Sequence, residues 1–296
     1  MIRIRTIYLY LVTSVFLILI GSNVFAQTGT LERILNDKTL KVGVNPLFEP
    51  FSFEKDGNRV GVDIDIAQKL ADKLGVELEV VVPDSFSDLI PMLNNGDIDI
   101  VMAGMSITFD RARIVDFSDP YFDTGISILL NKVSSSPIGL GSIKTLSELQ
   151  TSLKQNNNED KLIIAVTKGK APEKAAASLF PLATINSYAS NEEAAIATLK
   201  GDANIMLHDE IFLKLFVKNN PDLTRFKAIV LNPPIKPDAY GIAVRKGNQD
   251  FVNLINVFIR ELSYEGGASK YLGRYLPFKT NITIKSIEID DEYFGD

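Results

Sequence analysis

Apolar residues along this chain recur at two alternating spacings. The run Leu40-Lys41-Val42-Gly43-Val44 is short and reads as a strand. Over residues 62–75 the period lengthens. Ile66, Leu70 and Leu74 recur every four residues beside Ala67 and Ala71, while Lys69, Asp72 and Lys73 take the other side. That spacing predicts an amphipathic helix ended by Gly75. A β-branched strand follows at 76–82, a second helix at 86–95 ended by Gly96, and a strand at 97–103. Strand, helix, strand, helix at this spacing implies βαβ units and a parallel sheet.

One more strand is expected at 125–132, and the Ser-, Pro- and Gly-rich stretch 133–142 reads as a loop. The pattern then restarts. Thr145-Leu146-Ser147-Glu148 and Ser190-Asn191-Glu192-Glu193 are capping boxes, each opening a helix. Between them fall a polar loop at 156–160, a strand at 161–166 and a helix at 171–179. A strand at 203–208, a helix at 210–217 and a strand at 225–231 follow. After Pro233, Pro234 and Pro237 come a strand at 240–245 and helices at 250–264 and 269–276. The acidic tail 280–296 is expected to be loosely ordered or to pack on the surface.

The N-terminal stretch, up to Ala26, differs in kind. Arg3 and Arg5 precede an uncharged, mostly apolar run at 7–20, and Val24-Phe25-Ala26 places small residues where a signal peptidase reads. This is the pattern of a secretory signal, with cleavage expected after Ala26. Cleavage removes two arginines and no acid, taking the formal charge from −6 to −8. The alternative is a retained anchor, but 7–20 is short for a bilayer core needing about 20 apolar residues. With no Cys in the chain, lipid attachment through cysteine, disulfides and thiolate metal sites are excluded. One His (His208) leaves no His-rich metal site or two-His catalysis. A mildly acidic chain without a basic stretch argues against a nucleic-acid partner.

Five stretches together resemble the amino-acid-binding periplasmic proteins of ABC uptake systems, the family 3 solute-binding proteins. They are Phe48-Glu49-Pro50-Phe51-Ser52-Phe53 with Gly61-Val62-Asp63-Ile64-Asp65; the run Gly96 through Gly104; Ser106-Ile107-Thr108-Phe109-Asp110-Arg111; Asp116-Phe117-Ser118-Asp119-Pro120-Tyr121-Phe122; and Leu207-His208-Asp209 with Tyr240-Gly241-Ile242-Ala243. The resemblance runs from about Leu40 to Leu276. It implies an α/β type II periplasmic-binding-protein fold. The first lobe would span 27–131 plus 240–296 and the second 132–239, with strands crossing near Asn131 and Tyr240 as a hinge. It further implies a monomeric periplasmic receptor, without cofactor or catalysis, that closes on a small amino acid and delivers it to a membrane ABC permease.

The resemblance also assigns residues. The Arg three places after Thr108 clamps the ligand carboxylate in the family, which points to Arg111; a guanidinium forks onto a carboxylate as a Lys cannot. Thr108 is expected to cap the short helix carrying Arg111, Ser106 to add a hydroxyl, and Gly104 to admit close backbone approach. Asp209, ending a strand, is the counterpart of the acid that takes the ligand ammonium, and it could equally cap the helix it precedes. Phe48 and Phe86 match rings that sandwich the ligand side chain, or serve as core. Asn45 stands where relatives often carry an acid, which argues against a cationic ligand. The usual Gly-Thr-rich turn instead reads Thr167-Lys168-Gly169-Lys170-Ala171-Pro172. There Thr167 and Lys170 are candidate ligand contacts; Lys170 would favour an acidic side chain or be a solvated loop lysine. His208 reads as structural.

Two other readings share the fold. Some relatives are periplasmic dehydratases of cyclohexadienyl acids, which need a pocket acid as proton donor; Glu210 and Glu173 are candidates. The chain could also be a sensing module for a membrane partner.

Overall fold

Eleven strands organise the described residues. They are β1 (Thr39–Gly43), β2 (Phe53–Lys55), β3 (Asn58–Val60), β4 (Glu77–Val81), β5 (Ile100–Val101), β6 (Val115–Asn131), β7 (Ile163–Thr167), β8 (Thr184–Tyr188), β9 (Ile205–Asp209), β10 (Ala228–Val230) and β11 (Lys236–Arg245). They come from a computed structural model that describes residues 29–276. The expected export signal and acidic tail lie outside the described residues.

Nine of these strands form one curled sheet in the order β4-β1-β5-β11-β6-β9-β7-β8, with β10 also on β6. β1 lies parallel to β4 and β5, and β7 parallel to β8 and β9. These are the two βαβ-type halves that the alternating spacing predicts. β6 and β11 join them. The first part of β6 pairs antiparallel with β11, and its last part pairs with β9 and β10. Ile126 is the changeover, opposite both Lys236 and Asp209.

β6 begins at Val115, well before the expected start at Gly125. Its first part carries Asp116, Asp119 and Pro120, which hide a strand from propensity reasoning. Pro120 sits opposite Gly241, where the β11 register shifts. A bulge is where a strand tolerates a proline. The expected strand at 97–103 shrinks to Ile100–Val101, because the Asp99 carboxylate accepts the Lys41 N–H at 2.9 Å and takes a ladder position. The stretch 133–142 is not all loop: Asn131 accepts from the N–H groups of Val133 and Ser134 and so starts a helical turn at Lys132–Ser135. β8 has no counterpart among the expected strands. It is an outer strand whose side chains are half-buried or exposed, so its apolar alternation is weak.

Both expected N-caps form, but neither closes as a full capping box. Thr145 and Ser190 accept from the N–H groups of Glu148 and Glu193. The two glutamates reach one residue further back than expected, to the N–H of Lys144 and Ala189. The helices Ala171–Leu179 and Asn191–Lys200 start at defined points beside β7. One buried cluster runs across the join, from Phe48, Phe51 and Tyr240 to Phe212 and Phe216; smaller clusters lie under each half.

Candidate functional site

In an α/β sheet, loops at the carboxyl ends of strands form the binding edge. The residues just past β1, β5 and β7, with the last residue of β9, converge here on a small cavity between the halves. Phe48, Phe86, Gly104, Ser106, Arg111, Lys170 and Asp209 line it, with Asp238, Tyr240 and His208.

Gly104 follows β5 with φ +55°, and a Cβ there would come within 2.4 Å of the Phe48 ring. Glycine is thus required twice, by the left-handed backbone and by the close approach of the ring. The Gly104 N–H donates to the Tyr121 hydroxyl at 3.3 Å, which in turn donates to Asp63 at 2.7 Å. Burial holds the Asp63 carboxyl up at about 7, against the bond from Tyr121. Ser106 bridges to Tyr240 across the sheet, and its hydroxyl donates to Asp238 at 2.7 Å.

Thr108 caps the short helix Phe109–Ala112 by accepting from the Arg111 N–H. That cap fixes where Arg111 leaves the backbone. Its guanidinium donates to the Ser106 carbonyl at 2.9 Å and, from the other half, to the Gly169 carbonyl at 3.0 Å. Arg111 also lies 5.3 Å from the centre of the Phe86 ring. Burial pulls it down to about 10, against the charge of Asp238. Among the described residues it makes no ion pair; both bonds go to neutral carbonyls.

Asp209 fills two roles within the protein. One oxygen accepts from the N–H groups of Ile211 and Phe212, capping the helix Glu210–Asn219. The other accepts from the hydroxyls of Tyr240 (2.6 Å) and Thr124. Burial raises its carboxyl, and these four bonds resist the rise.

Lys170 is buried, 8 % exposed, which rules out a solvated loop lysine. It immediately precedes the helix Ala171–Leu179, and its side chain turns inward. Its ammonium stands 4.6 Å from the Phe48 ring centre and 5.2 Å from that of Phe86, and donates to Asn191 Oδ1 at 2.9 Å. Burial pulls it down to about 7; Glu192 and Asp209 oppose the fall and Arg111 adds to it. His208 is pushed well down by burial, then by Lys170, so it is neutral.

Three candidates stand behind the cavity rather than in its wall. The Asn45 amide donates to the Ala103 carbonyl and its oxygen accepts from the Leu47 N–H, holding the turn before Phe48. Thr167 donates to Asn191 Oδ1 at 3.0 Å. Thr108 acts through its cap and borders a wider outer opening together with Arg111 and Lys170. Sequence reasoning missed Asn191, Asp238 and Tyr240 as site residues. Asn191 Oδ1 meets Thr167, Lys170 and His208, and its amide donates to the Leu47 carbonyl in the other half. The Ser190 capping box was the available signal, since it fixes the adjacent residue at the helix start. Glu173 and Glu210 lie outside the cavity wall: Glu173 accepts from the Gly169 N–H and the Ser187 hydroxyl, and Glu210 pairs with Lys214. Among the described residues no His, Cys, Asp and Glu side chains gather as a metal site, and no helix is long and apolar enough to cross a membrane.

The model of the bacterial extracellular solute-binding proteins, family 3, matches residues 40–278. A probable histidine-binding protein of Neisseria gonorrhoeae is 30 % identical over 246 residues, covering 80 % of this chain and 83 % of the relative. An ABC transporter glutamine-binding protein of Bacillus subtilis is 29 % identical over 245 residues, covering 81 % and 82 %. The crystal structure of an ancestral amino acid-binding protein, a precursor of cyclohexadienyl dehydratase, superposes with a TM-score of 0.69 at 32 % identity, covering 83 % of this chain and 99 % of that one. The curled, mixed sheet with its cavity between two halves is therefore the type II periplasmic-binding fold, and the chain belongs to the bacterial extracellular solute-binding proteins of family 3.

Proposed function

We propose that this protein is the periplasmic receptor of an ABC uptake system, binding a small amino acid and passing it to the membrane permease as a monomer without catalysis. One observation carries this reading. Arg111 is half-buried at the cavity with its guanidinium on two carbonyls, and no carboxylate of the described residues forms an ion pair with it. A partly desolvated cation without an ion-pair partner is costly, and a ligand carboxylate supplies one. Phe48 and Phe86 flank the ligand side chain. Tyr240 and Asp238 join Asp209 on the side where an ammonium would sit. One lobe spans 27–131 plus 240–296 and the other 132–239, and their relative swing falls on the paired strands β6 and β11. Export through the secretory signal at 1–26 belongs to the same reading.

The test is calorimetric titration of ligand-stripped protein with the twenty amino acids. At least one should bind, and Arg111→Ala should weaken it by about 2–5 kcal/mol. Binding unchanged in Arg111→Ala would overturn the site assignment.

A dehydratase reading draws support from 30 % identity over 207 residues to a cyclohexadienyl dehydratase of Pseudomonas aeruginosa and from the likeness to the ancestral precursor structure. Glu173 and Glu210, the candidate proton donors, do not reach the cavity. The acid in the cavity wall besides Asp209 is Asp238, raised by burial and bonded to the Ser106 hydroxyl and the Ala239 N–H. Turnover of prephenate or arogenate, lost in Asp238→Asn, would favour this reading over transport.

A further inference from the structure

We infer that the ligand carries a second carboxylate which pairs with Lys170, so that the receptor selects acidic amino acids over neutral and cationic ones. The inference rests on the amino-acid reading of the same cavity and names its substrate class. It starts from how Lys170 is held. The side chain enters between Phe48 and Phe86, the two rings that would flank a ligand side chain, and its ammonium lies against the faces of both. An ammonium has three N–H donors. One bond forms, to Asn191 Oδ1, an oxygen already shared with Thr167 and His208. Among the described residues Lys170 makes no ion pair.

The nearby acids act on it only from a distance: Glu192 and Asp209 exert their charge on Lys170 without forming an ion pair with it. Asp209 spends its two oxygens on four donors from the protein. Asp238 accepts from the Ser106 hydroxyl and the Ala239 N–H. Two cations, Arg111 and Lys170, thus face one cavity without ionic partners. Both lie near the ring of Phe86, at 5.3 and 5.2 Å from its centre. Their separation can be no greater than the sum of those two distances. A short dicarboxylate reaches both at once. Its α-carboxylate takes the fork of Arg111 and its side-chain carboxylate takes the ammonium of Lys170. A cationic side chain entering the same space would meet Lys170 at close range, and an amide side chain would leave a buried ammonium without a counter-ion.

The experiment is calorimetric titration of ligand-stripped, full-length mature protein with glutamate, aspartate, glutamine, asparagine, histidine and arginine, in wild type and in Lys170→Met. We expect glutamate or aspartate to bind at least tenfold more tightly than its amide and than either basic amino acid. In Lys170→Met that acid should weaken tenfold or more while its amide changes less than threefold, and Lys170→Arg should keep the preference for acid. Wild-type protein that binds an amide or a basic amino acid as tightly as any acid overturns this inference and leaves the receptor reading standing. So does an unchanged acid-to-amide ratio in Lys170→Met. No binding of any amino acid overturns both. The wild-type ranking needs no variant to fold.

Discussion

At the scale of single residues, the cavity places two cations where water is scarce, and their protonation becomes measurable. Lys170 is held at about 7 by burial, against an ordinary 10.5. Arg111 adds to the depression, Glu192 and Asp209 oppose it, and His208 beside it is neutral. Between those two values the unfolded chain binds a proton on Lys170 that the folded protein does not. Stability of the ligand-free protein therefore rises with pH across that window. Affinity for an acidic ligand has the opposite sign, because the ammonium that would pair with it is lost above about 7. Melting curves of wild type and Lys170→Met from pH 6 to 10 check this. The wild type should gain over the variant as pH rises, and a constant difference would contradict it. A second residue-scale prediction concerns the neutral hydroxyl on Asp209. Tyr240→Phe removes one of four donors to a buried carboxylate and should cost about 1–3 kcal/mol in denaturant melts. Much of this was legible in sequence. Thr108 and Arg111 act within one short helical turn, so local spacing is enough to pair them. Lys170 stays ambiguous in sequence because the direction of its side chain depends on the turn between β7 and the helix Ala171–Leu179. Asp238 is invisible there because its nearness to Ser106 comes from a strand bridge between distant parts of the chain.

At the scale of elements, helix starts set the positions of site residues, and caps can be separated by what lies next to them. Ser190 and Thr145 cap their helices in the same way, each through the N–H three residues on. Replacing either by Ala should cost about 1 kcal/mol of stability. Only Ser190 fixes Asn191, whose oxygen holds Lys170, Thr167 and His208. Ser190→Ala should therefore also weaken ligand binding severalfold, while Thr145→Ala should leave it within error. Equal affinities for the two variants would mean that Asn191 holds its place without the cap. The capping boxes were readable because they are four-residue patterns. β8 was not, since a half-exposed outer strand carries little apolar alternation. The early part of β6 was not, since Asp116, Asp119 and Pro120 read against a strand and are accommodated by pairing with β11, against which β6 itself bulges around Pro120. That compensation sits far downstream in the chain.

At the scale of the whole molecule, the closed arrangement joins its halves through few polar ties around a charged cavity. Arg111 reaches the Gly169 carbonyl and Asn191 reaches the Leu47 carbonyl, while Lys174 pairs with Asp110 on the outer surface. Against these ties stands the confinement of two cations without ionic partners, both beside the ring of Phe86. Like charges in a poorly solvated cavity repel far more strongly than in water. The empty protein should therefore favour separated halves, where both cations regain solvent, and a ligand that neutralises them should draw the halves together. β6 can carry that movement because it is continuous through the join at Ile126, where β11 begins opposite it at Lys236. Small-angle scattering gives the check. The radius of gyration of stripped wild-type protein should fall when a binding amino acid is added. Lys170→Met should be smaller than wild type without any ligand, since half of the opposing charge is gone. If the stripped variant and the stripped wild type scattered alike, charge in the cavity would not be what holds the empty halves apart, and closure would have to be driven by the ligand's contacts with Phe48, Phe86 and Arg111 alone.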